Sequence, residues 1–298
     1  MNSLPLLTSR GGVCDVSTPM LTHEEDVVAY AAAGFKTMGI FLNKLERPRI
    51  DEFWLPESTI PQERLDRAAA AVRDAGLTVS HIAAVGRYTD SSIREQMIEH
   101  TLHAIDVAAA FDAGSVLILP GPLNGRTPAQ TTTLVARTLE EILQRRSSPV
   151  RLGLEPTRTW GADFMTSLGE ALDLIDMIDH PDLGVIPDTQ NLHGSPSYDE
   201  DIARAGSRIF AFQVVDGFAG QIERKLPGEG DLPLVEMIRA AEKAGYRGTY
   251  DLEHIFFPFD RAASEPDEFG PDAVLRRGAA GLASVLAEAG VQPIGADA

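Results

Sequence analysis

Four residues carry the most specific chemistry in this sequence, and each ends or interrupts an apolar run. Glu155 follows RLGL, Asp188 follows GVIP, Gln213 follows FAF, and Glu253 follows TYDL. A buried amide such as Gln213 left without a partner costs on the order of 1–3 kcal/mol, so it needs an internal partner or a bound one. Three carboxylates brought together without a counter-charge repel one another and raise their pKa values. One divalent cation removes that conflict, and an all-oxygen donor set suits Mg2+ or Mn2+ better than zinc. Any one of the four is equally well read as a strand-end residue facing solvent or bonding a loop. The metal reading rests on all four standing at equivalent places on successive strands.

Those places follow from the alternation of short apolar runs with amphipathic stretches. The strands read as TMGIFLN (37–43), TVSHIAAV (78–85), SVLILPG (115–121), VRLGLEP (150–156), LGVIPD (183–188), IFAFQVVD (209–216) and GTYDLEHI (248–255). Helices are predicted over 23–34, about 61–75, from about 92 to a stop at Gly114, over 128–146, through SLGEALDLIDMI and LVEMIRAAEKAGY, and over 271–289. An eighth strand near the N-terminus, LPLLTS or GVCDVS, is weakly marked. The strands lack two-residue alternation, as expected when both faces are covered. About eight strand–helix repeats, with no G-x-G-x-x-G after the first strand, favour a closed (β/α)8 TIM barrel over an open doubly wound sheet. No linker or composition break divides residues 1–298, so a single barrel domain is expected. In such a barrel the C-terminal strand ends share one mouth, so residues 155, 188, 213 and 253 face one point. The segments 44–60 and 256–269 lie beyond strand ends and read as substrate-covering loops.

Composition narrows the partners. Lys plus Arg is 26 against 44 for Asp plus Glu, a formal charge of -18, which a phosphate backbone repels; no nucleic-acid partner is expected. The single cysteine, Cys14, excludes an internal disulfide and fits a reducing compartment. No secretory signal is evident at the N-terminus and no apolar run reaches membrane-spanning length, so a cytoplasmic protein without membrane contact is expected.

In their order, GLEPT, IPDTQNLH, QVVDG followed by LPGEGDLPL, and GYRGTYDLE resemble the sugar phosphate isomerase/epimerase family with the xylose isomerase-like TIM barrel. That group includes ketose 3-epimerases, inosose dehydratases and 3-dehydroshikimate dehydratases. The resemblance is strong over about 150–255 and rests only on strand–helix rhythm before that. It implies that Glu155, Asp188, Gln213 and Glu253 bind one divalent ion, Mn2+ or Mg2+, with Co2+ or Zn2+ as further options. It also implies that Glu155 and Glu253 do the acid/base work, and that a homo-oligomer forms. Two positions depart from the commonest pattern. Gln213 stands where most members have histidine, although some dehydratases are similar in using glutamine. Asn191 stands where epimerases place histidine three residues after the aspartate, leaving His193 as the nearest imidazole.

The expected reaction is metal-dependent isomerisation or epimerisation of a keto-sugar or polyol-derived ketone, beginning with proton removal next to a polarised carbonyl. Loss of a β-hydroxyl after the same first step makes a dehydratase of the inosose or 3-dehydroshikimate type, the alternative that the two departures favour. A barrel that binds carbohydrate without turnover has little reason to keep both Glu155 and Glu253. Abasic-site endonuclease chemistry is set aside, because the seven histidines do not mark a three-zinc site. Substrate contacts are expected from His81, Asn191, His193 and Arg224. Three of them have a plainer reading: His81 as a core histidine, His193 as a loop residue, Arg224 as a solvated cation. Lys225, Arg158, Trp54 and Trp160 are weaker candidates. His254, turned away by strand alternation, and Asp216 are read as supporting residues, and Gly228 and Gly230 as turn residues.

Overall fold

Both faces of every central strand are covered, and the chain alternates accordingly. The computed structural model describes residues 7–46, 60–158 and 162–293. The first half runs β1 (Gly11–Cys14), α1 (His23–Ala33), β2 (Thr37–Phe41), α2 (Leu42–Glu46), α3 (Gln62–Asp74), β3 (Thr78–Val85), α4 (Arg94–Ala110), β4 (Ser115–Leu119) and α5 (Pro128–Arg145). Then come β5 (Arg151–Leu154), α6 (Leu168–Ile178), β6 (Leu183–Val185), α7 (Thr189–Leu192), α8 (Tyr198–Ala205), β7 (Phe212–Val214), β8 (Asp216–Gly217) and β9 (Arg224–Lys225). The chain closes with α9 (Leu234–Lys243), β10 (Tyr250–Leu252), α10 (Arg261–Ser264), α11 (Pro266–Phe269) and α12 (Pro271–Ala289). Reciprocal capping boxes start α1 (Thr22 with Glu25), α5 (Thr127 with Gln130) and α6 (Ser167 with Glu170). Among the described residues, no helix is long and apolar enough to cross a membrane.

The parallel strands are ordered β6-β5-β4-β3-β2-β1-β10-β7, and the parallel bridges Val185–Ile209 and Asp188–Gln213 join the two ends into a barrel. The weakly marked eighth strand is therefore the GVC segment, pairing β10 on one side and β2 on the other. One apolar core fills the space between strands and helices, and a second, including Cys14, Phe41, Ala83, Leu117 and Ile186, fills the barrel.

Three of the differences from the predicted boundaries have a local cause. The strand read through Asn43 ends at Phe41, whose N–H leaves the ladder for Asp15 Oδ1 at 3.0 Å. The buried Lys44 then pins the turn, donating to the carbonyls of Asp15 (2.9 Å) and Thr18 (2.8 Å) and pairing with Asp26. Helix α4 stops at Ala110 rather than beside Gly114, because Asp112 takes a left-handed φ of 55°, which aspartate tolerates. The strand read over 209–216 pairs regularly only at Phe212–Val214. Its neighbour on that side contains Pro187, which accepts from Gln213 N–H at 2.9 Å but has no N–H to return, so the β6–β7 seam is reduced to bridges.

Gly184 lies on this seam. A Cβ there would sit 2.3 Å from the Arg208 carbonyl oxygen and 2.5 Å from the Phe210 ring. Gly184→Ala is therefore expected to lose about 1–3 kcal/mol by overpacking, measurable as a lower midpoint in urea. A midpoint equal to wild type would contradict this account of closure.

Candidate active site

The barrel seam sets the site. Glu155 follows β5, Asp188 follows β6 and Glu253 follows β10. Each offers a carboxylate oxygen within 4.8 Å of the others. All three are buried, at 5%, 0% and 2% exposure, so water cannot screen their repulsion. Gln213, in the middle of β7, donates from Nε2 to Glu253 Oε1 at 2.5 Å. Its Oε1 is buried and has no hydrogen-bond partner among the described residues.

The sequence D-T-Q-N after β6 gives each residue a separate task. Asp188 caps α7, its Oδ1 accepting from Asn191 N at 2.9 Å. Thr189 Oγ1 donates to Val215 O at 2.6 Å and accepts from Val215 N at 2.9 Å, sewing the end of β6 to that of β7. Gln190 donates to the carbonyls of Gln221 and Ile222, holding the loop between β8 and β9. Asn191, expected as a substrate contact, donates from Nδ2 to Glu155 Oε1 at 3.1 Å and accepts from Arg158 N at 3.0 Å. Its short side chain reaches the carboxylate and fixes it.

Arg224, expected as a substrate contact, lies in the cavity wall beside the acids. The antiparallel ladder of β8 and β9 folds it back over the cluster. There its Nη1 donates to Asp188 Oδ2 (3.0 Å), Glu253 Oε2 (2.9 Å) and the Glu253 carbonyl (2.9 Å). It is thus engaged as a buried counter-ion of Asp188 and Glu253. Asp216 anchors the hairpin, accepting from the N–H groups of Gly217, Gly228 and Leu232. Gly228 takes a φ of 86°, and Gly230 passes so near Asp216 Oδ1 that a Cβ would lie 2.4 Å away, so PGEGD is a turn wrapped on a carboxylate.

Charge is not balanced within the chain, since three carboxylates face one guanidinium. Burial pushes the Glu155 carboxyl well above the usual range, with Glu253 and Asp188 adding to it. Burial likewise pushes Glu253 up to about 8, against the opposing pull of Arg224. A divalent cation would close the balance, and the orphaned Gln213 oxygen is a neutral donor at the same place, so these residues fit one. The folded-state value of Glu253 lies above the unfolded value of about 4.3, so its protonation favours the fold. That stabilisation is complete below about pH 4 and is lost as pH rises through about 8. The metal-free protein should therefore lose up to about 1.4 kcal/mol per pH unit from this group across that window. Denaturant titrations from pH 5 to 9 should show this slope, and Glu253→Gln should flatten it; equal slopes would contradict it.

The remaining candidates are dispersed. His81 lies wholly inside the barrel, with Nδ1 3.6 Å from Asp251 and 3.0 Å from Ser80 Oγ, and Nε2 3.9 Å from Cys14 Sγ. It is packed below the cluster and is absent from the cavity wall, because the third strand exposes Val85 at the mouth instead. His193 is half-buried at the end of α7, and its side chain makes no hydrogen bond among the described residues. His254 stacks on Phe269, and burial lowers its pKa to about 3. Lys225 pairs with Glu223, and Arg158 is exposed. Trp54, Trp160 and most of the loop 44–60 lie outside the described residues. Thr189 and Gln190 position the site without having been singled out for it; their signal is a polar run directly after a strand.

A cavity of about 240 Å³ opens on the cluster, with Glu155, Arg224 and Glu253 as its polar lining.

The chain matches the family described as xylose isomerase-like TIM barrel over residues 27–276. It is 24% identical over 170 residues to fructoselysine 3-epimerase of Shigella flexneri, covering 55% of this chain and 60% of that relative's length. Among solved structures, the IolI protein with a bound zinc atom superposes with a TM-score of 0.75 at 14% identity, over 95% of this chain and 100% of that one. D-psicose 3-epimerase of Clostridium cellulolyticum H10 superposes with a TM-score of 0.70 at 17% identity, over 94% and 98%.

Proposed function

Because the chain belongs to the xylose isomerase-like TIM barrel family, we propose that it is a divalent-metal-dependent isomerase or epimerase of a keto-sugar or related polyol-derived ketone. The observation that carries this reading is the buried trio of Glu155, Asp188 and Glu253 beside the orphaned oxygen of Gln213. These four would hold the ion, with Mn2+ or Mg2+ favoured by the oxygen donors. Bound there, a divalent cation polarises a carbonyl and stabilises the negative charge that develops on deprotonation. The epimerase names of the similar proteins support the same reaction class.

The chain's own residues supply the proton chemistry. Glu155 and Glu253 come from strands three apart in the closed barrel, which lets them approach a ligand from different sides. One takes the proton next to the carbonyl and the other returns it. Return to the opposite face gives epimerisation, and return to the neighbouring carbon gives isomerisation. Both bases are held before substrate arrives, Glu155 by Asn191 and Glu253 by Arg224 and Gln213. The dehydratase reading rests on the absence of an imidazole at positions 191 and 213.

The deciding experiment incubates the Mn2+-loaded protein in D2O with ketoses, inosose and 3-dehydroshikimate. Deuterium uptake without an ultraviolet-absorbing enone is expected. An enone would assign a dehydratase, and tight binding with neither signal would assign a binding protein.

A further inference from the structure

The mouth of the barrel is chemically divided. The ends of β5, β6 and β10, and the middle of β7, present Glu155, Asp188, Glu253 and Gln213. On the opposite arc, the ends of β2, β3 and β4 present Phe41, Val85 and Leu119. Val85 and Leu119 are paired in register, and Glu155 N–H donates to Ile118 O at 3.0 Å, so the acids and this apolar arc share one level. Ile255 and Phe257, just past β10, complete the apolar wall of the cavity. Among the described residues, every polar side chain lining the cavity belongs to the acid cluster and its arginine. Arg224 is already engaged by two carboxylates, so the lining offers a phosphate no cation that is not shared with acids.

We infer that the substrate is an amphiphilic α-hydroxyketone, oxygenated at the reacting carbons and carrying hydrogen, alkyl or aryl groups beyond them. The inference rests on the proposed proton-transfer reaction and names the substrate class for it. A ketohexose carries a hydroxyl on nearly every carbon. Each hydroxyl buried against Phe41, Val85 or Leu119 without a partner loses about tenfold in affinity. An alkyl or aryl tail gains from the same contacts. The cavity, about 240 Å³, has room for one ring or a short chain. Among the described residues, a phosphorylated sugar would find no cation on this wall that is not already shared with carboxylates.

The test uses D-tagatose, its 6-deoxy counterpart and 1-hydroxy-3-phenylpropan-2-one with the Mn2+-loaded full chain. Deuterium exchange from D2O gives kcat/KM, and calorimetry gives Kd. Both should improve at least tenfold from tagatose to the deoxy sugar, and again to the aryl ketone. Leu119→Asn, which offers an amide on the apolar arc, should shift the ratio at least tenfold back towards tagatose without changing Mn2+ affinity. Equal or better values for tagatose with the wild-type protein overturn the inference and leave the proposed reaction standing. Absence of exchange with every ligand overturns the reaction instead, and the wild-type order of Kd values then decides the inference by itself.

Discussion

Replacing Glu253 by glutamine should lower divalent-ion affinity at least tenfold and cut kcat/KM by about a thousandfold or more. General acid/base groups contribute roughly 10²–10⁴-fold by themselves, and here the same carboxylate is also assigned to the ion. The substitution preserves volume but removes one of three negative charges. It also turns a double acceptor into an amide whose N–H2 faces the Nε2 of Gln213 or the Nη1 of Arg224, both of which are donors. Calorimetric titration with Mn2+ measures the first effect, and NMR of deuterium uptake from D2O measures the second. If the variant binds Mn2+ and exchanges protons like the wild type, Glu253 is not part of the site. Gln213→Ala should be milder in turnover, since it removes a neutral donor and leaves both carboxylate bases in place.

Replacing Arg224 by methionine should destabilise the metal-free protein by about 3–5 kcal/mol, because it leaves two buried carboxylates without their cation. For a domain of this size that is a fall in Tm of roughly 5–8 °C. Methionine fills much of the arginine's volume, so the loss reports charge more than a cavity. Saturating Mn2+ should then raise Tm more in the variant than in the wild type, since the ion replaces the lost charge. Equal increments in the two proteins would mean that Arg224 and the ion do not share Asp188 and Glu253. Arg224→Lys should recover only part of the stability, because a single ammonium cannot reproduce the planar fork.

The acids at the strand ends were legible because their signal is local. A strand covered on both faces must be apolar along its length, so a carboxylate ending such a run marks the mouth of a barrel. The alternation of those runs with capped amphipathic helices determined the architecture on the same grounds. The outcomes for Asn191, Arg224 and His81 were not local. Asn191 reaches Glu155, and Arg224 reaches Asp188, each across 36 residues of chain. The Arg224 contact exists only because β9 turns back against β8. His81 took a place below the cluster because register along β3, which residue spacing does not specify, set it beside Asp251. The bridged seam at Pro187 and the apolar arc of Phe41, Val85 and Leu119 likewise appear only when the barrel closes and sets separate strand ends at one height. Residue type and periodicity determined which groups could act; the closed barrel decided which of them meet, because meeting depends on pairing and register between strands far apart in the chain.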